Sequence, residues 1–376
     1  MKIIDVNVIW LRVPKLNQAC EWGEDAVIVK ITTDEGITGY GESDSSPLVV
    51  KSFIETPSSH STCRGLREIL VGRDPLEITR LWDEMFTGSE YMGRRGAGIH
   101  AISAVDIALW DIAGQFYGVP VHTLLGGKYR EHIDAYGTFI PSDNDDESCA
   151  KALSLISQGF RSIKFGGNKF GIDPAKDYET VRRIREVVGD GIDIELDLVG
   201  LWRNFSYTQK RYEMLKDFNI NWIEEPVPSD SLKCYRRLSE TLPVKITGGE
   251  ALTSYAEFKQ FIEEANPAIV QPDITRCGGI TEMKRINQLA ESNGVSLVPH
   301  GFSTGILLHA TIHFLASTRF GDLIEYSQSE SPIYKYLVKN KIPVKDGKVA
   351  VPDLPGLGLQ LDNDFIKEYS VVDFYK

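Results

Sequence analysis

Hydrophobic and polar residues alternate along three stretches near the start of the chain, at residues 3–11, 26–32 and 37–41. Such alternation is the pattern of half-buried β-strands. Between residues 99 and 114 apolar residues instead recur at steps of three and four, until Gly118 and Pro120 end the pattern. This spacing predicts a helix. Strands followed by helices predict an α+β domain over residues 1–125.

From about residue 133 short β-type runs alternate with amphipathic helical segments. The predicted strands cover residues 135–138, 162–165, 192–196, 221–223, 244–247, 268–271, 296–298 and 322–324. The helices predicted between them include residues 177–188, 255–264, 281–293 and 306–315. This alternation favours a closed parallel barrel over residues 126–330 rather than an open sheet. The Gly/Pro-rich stretch 351–358 predicts that the C-terminal segment, 331–376, is extended and returns to the first domain.

Composition and charge exclude several classes of protein. With 42% hydrophobic and 25% charged residues the chain is globular rather than disordered. The net charge of −12 disfavours nucleic acids and anionic membranes as partners. The five cysteines are scattered without a C-x-x-C pair, which excludes a disulfide framework or zinc knuckle. We expect a cytoplasmic protein, because the start alternates like a strand and no segment has the features of a signal peptide or a membrane span.

Seven successive predicted strands each end in an ionisable residue. Because the carboxyl ends of barrel strands meet at one face, where the chemistry of such barrels occurs, we expect these side chains to share one site. In chain order they are Lys164, Asp197, Glu224, Glu250, Asp273, His300 and Glu325.

Asp197, Glu224 and Glu250 follow three adjacent strands and would point three carboxylates at one volume. Such repulsion is relieved by a hard cation. Oxygen ligands without histidine or thiolate favour Mg²⁺, with Mn²⁺ as the alternative. The residues alone leave open whether Glu224 or its neighbour Glu225 is the ligand.

The remaining ionisable residues predict a general base and its partners. Asp273 beside His300 would orient the imidazole and raise its basicity. Lys164 could balance a substrate carboxylate or a negative intermediate, or form an ion pair with a ligand carboxylate. Glu325 could donate a hydrogen bond if protonated, anchor a hydroxyl, or be structural.

Taken together, the motifs of the chain resemble the enolase superfamily, mandelate racemase subgroup. The resemblance implies a (β/α)7β modified TIM barrel with an α+β capping domain formed by the N-terminal region and the C-terminal tail. It also implies Mg²⁺ on Asp197, Glu224 and Glu250, which selects Glu224 over Glu225, and a His300–Asp273 dyad. The motifs are Ala104 to Asp111, Gly126-Gly127, Trp222 to Pro226, Gly249-Glu250, Gln271-Pro272-Asp273, Gly278-Gly279-Ile280 and Pro355 to Gly358.

One departure from that subgroup bears on the reaction. Its type members carry Lys-x-Lys at the end of the second strand, with the second lysine as a base on the opposite face of the substrate. Here Gly166 stands at that position, and only Lys169 in the following loop could replace the base. A one-base site suits β-elimination, in which His300 abstracts the proton α to the carboxylate, giving an Mg²⁺-stabilised enediolate, and then protonates the departing 3-hydroxyl.

The predicted activity is therefore that of an acid-sugar dehydratase, which converts an aldonate or aldarate to a 2-keto-3-deoxy acid. An epimerase or cycloisomerase of the same superfamily is the nearest alternative. A metal-independent barrel glycosidase using Glu224 and Glu250 is an alternative of another class, and a non-catalytic paralogue is a third. The resemblance further implies a homo-oligomer that acts on a small sugar acid.

Substrate specificity in this superfamily lies in loops of the capping domain, which match residues 16–25 and 43–55. Asn17 and Ser45 could bond hydroxyls there, and Trp22 could cover a sugar face. Arg94 and Arg95 could reach a distal carboxylate or serve a structural purpose.

Overall fold

The computed structural model describes residues 1–13 and 23–372. Its first unit is an antiparallel three-stranded sheet in the order β1-β2-β3, with the long helix α5 packed on β3. The strands are β1 (Ile3–Arg12), β2 (Asp25–Thr33) and β3 (Thr38–Ser43). The helices are α1 (Pro47–Glu55), α2 (Leu66–Leu70), α3 (Ile78–Gly88), α4 (Glu90–Gly93), α5 (Ala97–Tyr117) and α6 (Val121–Leu124).

The second unit is a barrel of parallel strands separated by helices. Strands β4 to β10 are paired in chain order, and β11 pairs in parallel with β4. The strands are β4 (His132–Phe139), β5 (Ser162–Gly166), β6 (Asp193–Asp197), β7 (Ile220–Glu224), β8 (Lys245–Gly248), β9 (Ile269–Val270), β10 (Ser296–Leu297) and β11 (Leu323–Ser327). The helices are α7 (Asp145–Ser157), α8 (Pro174–Val188), α9 (Phe205–Leu215), α10 (Leu232–Thr241), α11 (Ser254–Gln260), α12 (Gly279–Ser292) and α13 (Gly305–Ala316). The predicted (β/α)7β barrel with a capping domain is confirmed.

Local sequence explains where several barrel helices begin. Asn144, Asp173, Asn204 and Thr304 each precede a helix, and each side chain accepts a hydrogen bond from a backbone N–H of the first turn. These bonds satisfy donors that the helix itself leaves unpaired. One predicted helix, 255–264, ends differently, because α11 stops at Gln260 and a π-helical turn, Phe261–Ala265, follows.

The C-terminal segment contacts both units. After α14 (Pro332–Tyr336), the hairpin of β12 (Val344–Lys345) and β13 (Lys348–Ala350) pairs antiparallel with the start of β4. Residues 352–357 then reach the end of α5, where the backbone of Gly356 exchanges hydrogen bonds with residues 119 and 121. The last helix, α15 (Asn363–Tyr369), leads to an antiparallel bridge between Ser370 and Leu11. The segment therefore extends the barrel sheet first and reaches the capping domain afterwards.

Helix α5 is the core of the capping domain. By length and composition alone this helix could cross a membrane, but 83% of its apolar 18-residue stretch is buried inside the protein. Its buried side chains pack with those of β1 and β2 in one hydrophobic cluster. Packing within the domain accounts for its composition.

Two buried carboxylates of α5 attach the capping domain to other parts of the chain. Asp106 accepts hydrogen bonds from the backbone N–H (2.9 Å) and hydroxyl (2.5 Å) of Thr281, in the first turn of α12. A Cβ at Gly279 would lie 2.4 Å from Asp106, so glycine permits this close approach. Asp111 accepts from the backbone N–H groups of Tyr40 (3.1 Å) and Leu357 (2.9 Å). The family motifs in these segments thus hold the domains together.

Asp106 makes the stability of the protein depend on pH. Burial raises its pKa to about 7, although the hydrogen bonds from Thr281 act to lower it. The unfolded chain releases this proton near pH ~4, so the free energy of unfolding falls as pH rises from about 4 to about 7. We expect Asp106→Asn to remove about 1–4 kcal/mol of this pH dependence, measured as the melting temperature between pH 5 and 8 at constant Mg²⁺. Asp230→Asn, at an exposed carboxylate, is the control; a slope unchanged in Asp106→Asn would contradict the argument.

Candidate active site

An open cavity of about 600 Å³ lies at the carboxyl ends of the barrel strands. Below it, Tyr136, Trp222, Ile269 and Val298 pack inside the barrel as an apolar floor. The cavity lining includes Asp44, Asp197, Val199, Glu250, Arg276 and His300.

The structure brings Asp197, Glu224 and Glu250 together. One oxygen from each lies within 4.8 Å of the others. Burial and then the charge of Glu224 raise the pKa of Asp197 well above its usual value. This mutual repulsion and the oxygen-only donor set fit a hard divalent cation such as Mg²⁺.

Glu225, which the residues alone could not exclude as the ligand, is not part of this cluster. Its Oε1 accepts hydrogen bonds from the backbone N–H of Gly249 (3.3 Å) and from the hydroxyl of Ser229 (3.4 Å). The carboxylate of Glu224 lies in the cluster instead and accepts a hydrogen bond of 2.5 Å from Nε2 of Gln271. Gln271 was not singled out from the sequence as a site residue, although it belongs to the Gln-Pro-Asp motif.

Lys164 is buried within the acidic cluster as an ion-pair partner. Its Nζ lies 2.8 Å from Glu224 Oε1, 3.0 Å from Glu325 Oε1 and 3.7 Å from Asp197 Oδ2. Burial acts to lower the pKa of Lys164, but Glu224 and the other carboxylates raise it well above its usual value. The ammonium therefore holds its charge and balances carboxylates of the site.

His300 and Asp273 form a hydrogen-bonded pair. His300 Nδ1 lies 2.6 Å from Asp273 Oδ2, and Asp273 Oδ1 accepts from the backbone N–H and the hydroxyl of Thr275, both at 2.6 Å. With Nδ1 committed to the carboxylate, Nε2 is the nitrogen available to the cavity, 3.3 Å from Glu250 Oε2. Burial acts to lower the pKa of His300, but the Glu250 carboxylate, whose charge a bound cation would neutralise, and then Asp273 raise it to about 10.

Glu325 lies beside this pair as a hydrogen-bond acceptor. Its Oε1 is the partner of Lys164, and its Oε2 accepts from the backbone N–H of Gly301 at 2.9 Å. Burial acts to raise the pKa of Glu325, but Lys164 and His300 lower it. These contacts favour the ionised form over a protonated hydrogen-bond donor.

Gly166 ends β5 in close contact with the neighbouring strand. A Cβ placed on it would lie 1.9 Å from the backbone oxygen of Asp197. The position that carries a second lysine in the type members of the subgroup therefore has no room for a side chain here. Lys169, the candidate replacement for that lysine, is exposed, and its Nζ lies 2.6 Å from Asp143 Oδ2.

None of the capping-domain candidates that the structure describes lines the cavity. Asn17 and Trp22 lie outside the described residues. Ser45 does not line the cavity; its hydroxyl lies 2.9 Å from Nδ1 of His100. Arg95 forms an ion pair with Glu257 at 3.6 Å, and Arg94 is exposed and likewise absent from the cavity lining.

Asp44 and Arg276 line the cavity and were not identified from the sequence. Arg276 Nη2 donates to Asp44 Oδ2 at 2.6 Å, and its Nη1 lies 3.5 Å from Glu250 Oε1. Asp44 immediately follows β3, inside the capping loop 43–55 in which Ser45 was the predicted contact. The Gln-Pro-Asp motif three residues before Arg276 was the available signal for the arginine.

Two family models match the chain. The mandelate racemase/muconate lactonizing enzyme N-terminal domain matches residues 11–126, and the enolase C-terminal domain-like family matches residues 147–365.

Three curated relatives match at similar levels. The arabinonate dehydratase of Saccharolobus solfataricus is 32% identical, covering 92% of this chain and 90% of its own. The D-galactonate dehydratase of Ralstonia nicotianae is 32% identical, covering 92% and 91%. The D-galactarolactone cycloisomerase of Agrobacterium fabrum is 29% identical over 92% of both chains.

Solved structures agree with these matches. The 3,6-anhydro-D-galactonate cycloisomerase of Zobellia galactanivorans superposes with a TM-score of 0.90 at 30% identity, covering 99% of this chain and 100% of that one. A Streptomyces coelicolor racemase with bound magnesium gives 0.87 at 27% identity, covering 98% and 100%. The chain therefore belongs to the mandelate racemase/muconate lactonizing enzyme family of the enolase superfamily.

Proposed function

We propose that the protein is a Mg²⁺-dependent acid-sugar dehydratase, which converts a sugar acid to its 2-keto-3-deoxy product and water. The observation that carries this proposal is the one-sided arrangement of bases. His300 faces the cavity from the end of β10, whereas β6, four strands away around the barrel, presents Val199, and β5 presents Gly166. Neither Val199 nor Gly166 has a side-chain group that can accept a proton.

Asp197, Glu224 and Glu250 would hold Mg²⁺, with Mn²⁺ as the alternative. When bound, the cation supplies positive charge beside the substrate carboxylate, which makes the α-proton easier to remove. Beneath the cavity, Lys164 forms ion pairs with the carboxylates of Glu224 and Glu325.

His300 then acts twice. Its Nε2 takes the proton from C2, and Asp273 stabilises the imidazolium through Nδ1. The imidazolium returns that proton to the 3-hydroxyl as the C3–O bond breaks, so water leaves and a C2–C3 enol remains. The enol tautomerises to the 2-keto-3-deoxy acid. Atoms balance, since the products together equal the substrate, and His300 ends in its starting state.

A cycloisomerase is the second candidate, because two relatives carry that name. A cycloisomerase reaction would also begin with proton transfer at C2 but would release no water.

The position of Glu224 argues against the barrel glycosidase. Its side chain is buried, accepts hydrogen bonds from Lys164 and Gln271, and does not line the cavity. We further propose a cytoplasmic homo-oligomer whose partner is the small sugar acid itself.

A screen of aldonic and aldaric acids with Mg²⁺ tests the proposal. We expect a 2-keto-3-deoxy product from at least one acid, and no product after chelation of the metal. Mass spectrometry in the same assay separates dehydration from isomerisation, because only dehydration removes a water from the substrate mass. Isomerised product of unchanged mass would support the cycloisomerase, and a folded, magnesium-loaded protein that acts on no acid of a stereochemically complete set would reject the dehydratase.

A further inference from the structure

The charges of the cavity bear on how many carboxylates a substrate can carry. Among the residues that the structure describes, four carboxylates line it, together with one guanidinium and His300. The carboxylates belong to Asp44, Asp197, Glu250 and Glu325. The lining is therefore acidic, and an anionic group is held there only where a cation is available to it.

Arg276 is the guanidinium, and its charge is already engaged. It donates to the carboxylate (2.6 Å) and the backbone oxygen (3.2 Å) of Asp44, and it lies 3.5 Å from a carboxylate oxygen of Glu250. Lys164 is similarly held by Glu224 and Glu325 beneath the cavity. A second substrate carboxylate would thus face acidic groups without an unpaired lysine or arginine among the described lining residues.

Val199 gives the cavity an apolar wall at the expense of backbone strain. Its φ of 45° lies in the left-handed region, which a β-branched residue rarely adopts. The turn is held by the neighbouring strand end, because Leu198 and Gly200 donate backbone hydrogen bonds to residues 224 and 225. Glycine or asparagine would fit this conformation with less strain, so a valine that faces the cavity points to a role for its side chain.

Other apolar groups continue this wall. Phe139, Ile140 and Phe302 line the same cavity, and Gly166 and Gly167 add backbone without side chains. These residues offer no side-chain hydrogen bond to a hydroxyl. Desolvating a hydroxyl against them without a partner is unfavourable, whereas burying a methyl or ring methylene is favourable.

We infer that the substrate is a monocarboxylic sugar acid with a hydroxyl-poor portion, such as a 6-deoxy or anhydro aldonate, that Val199 selects it against fully hydroxylated aldonates, and that the Asp44–Arg276 pair selects it against aldarates. This inference deepens the proposed function and rests on it for the class of substrate. Val199 selects through its apolar surface, and Asp44 selects by engaging the charge of Arg276.

Binding of matched probes tests the inference without requiring turnover. The probes are D-galactonate, 6-deoxy-D-galactonate and galactarate, with the corresponding gluco and manno triads, titrated by calorimetry into Mg²⁺-loaded His300→Asn protein so that none is consumed. In the best-bound series we expect the 6-deoxy acid to bind about 3–10-fold more tightly than the aldonate. The aldarate should bind at least ~10-fold more weakly than the aldonate.

Two variants test whether Val199 and Asp44 cause this order of binding affinities. Val199→Thr keeps the branched shape but adds a hydroxyl, and should remove most of the preference for the 6-deoxy acid. Asp44→Asn releases the charge of Arg276 and should narrow the difference between aldonate and aldarate. Aldarate binding as tight as that of the aldonate, binding ratios unchanged in both variants, or no binding of any probe would overturn the inference. The predicted binding order without any keto product from the wild-type enzyme would reject only the proposed function.

Discussion

His300→Asn is expected to lower kcat by at least ~10³-fold, because the same imidazole removes the α-proton and protonates the leaving hydroxyl. Asparagine cannot take up the proton, so exchange of the α-proton with deuterium from solvent should stop as well. The measurement is initial-rate kinetics of keto-acid formation beside an NMR exchange assay, with Mg²⁺ binding checked by calorimetry in the same preparation.

Asp273→Asn is the matched companion of this variant. It keeps the shape beside Nδ1 but removes one of the charges that, after Glu250, raise the pKa of His300. The imidazole remains and its pKa falls, so kcat should fall less than in His300→Asn, and the acidic limb of the kcat profile should move to lower pH. Retained α-proton exchange in a folded, metal-binding His300→Asn protein would contradict the role of His300 and require another base.

The second large effect is expected at the metal site. Without a cation, the carboxylates of Asp197, Glu224 and Glu250 repel one another in a buried volume. Mg²⁺ should therefore raise the melting temperature, by the equivalent of about 2.7 kcal/mol when its concentration is 100 times Kd. Asp197→Asn should be more stable than the wild type in chelator, and should lose both the Mg²⁺-dependent increase and the activity.

Scanning calorimetry with chelator and with increasing Mg²⁺ measures both effects. Asp193→Asn is the control, because it removes an exposed carboxylate from the first residue of the same strand. It should leave the Mg²⁺ response unchanged. A wild-type melting temperature that does not respond to Mg²⁺, or Asp197→Asn less stable than the wild type in chelator, would show that the three carboxylates are not held in repulsion.

The repeating features of the chain were predictable from the sequence. Each barrel strand was located within a few residues, because a short β-type run and an amphipathic helix recur in each unit. Since parallel strands end at one edge, the ionisable residues at those ends could be assigned to one site before their distances were known. The prediction that Asp197 and Glu224 are neighbours needed only the chain order of their strands.

The contacts that the sequence could not reveal depend on the packing of distant segments. Asp44 and Arg276 are 232 positions apart and meet only because the capping domain covers the barrel. Ser45, one residue later, is directed to His100 rather than the cavity. The positive φ of Val199 follows from hydrogen bonds to the next strand, which no local propensity of a valine predicts.

The contact between Gly166 and Asp197 limits how this enzyme can be redesigned. Lysine at position 166 would have to push the backbone oxygen of Asp197 away from its Cβ, since only 1.9 Å separates them. The displaced residue carries one of the three carboxylates proposed to hold Mg²⁺, so a gain of the second base would disturb the cation that makes the α-proton acidic. A two-base racemase therefore requires respacing of β5 and β6 across several positions, and single-site libraries at Gly166 should yield only inactive or metal-deficient enzymes.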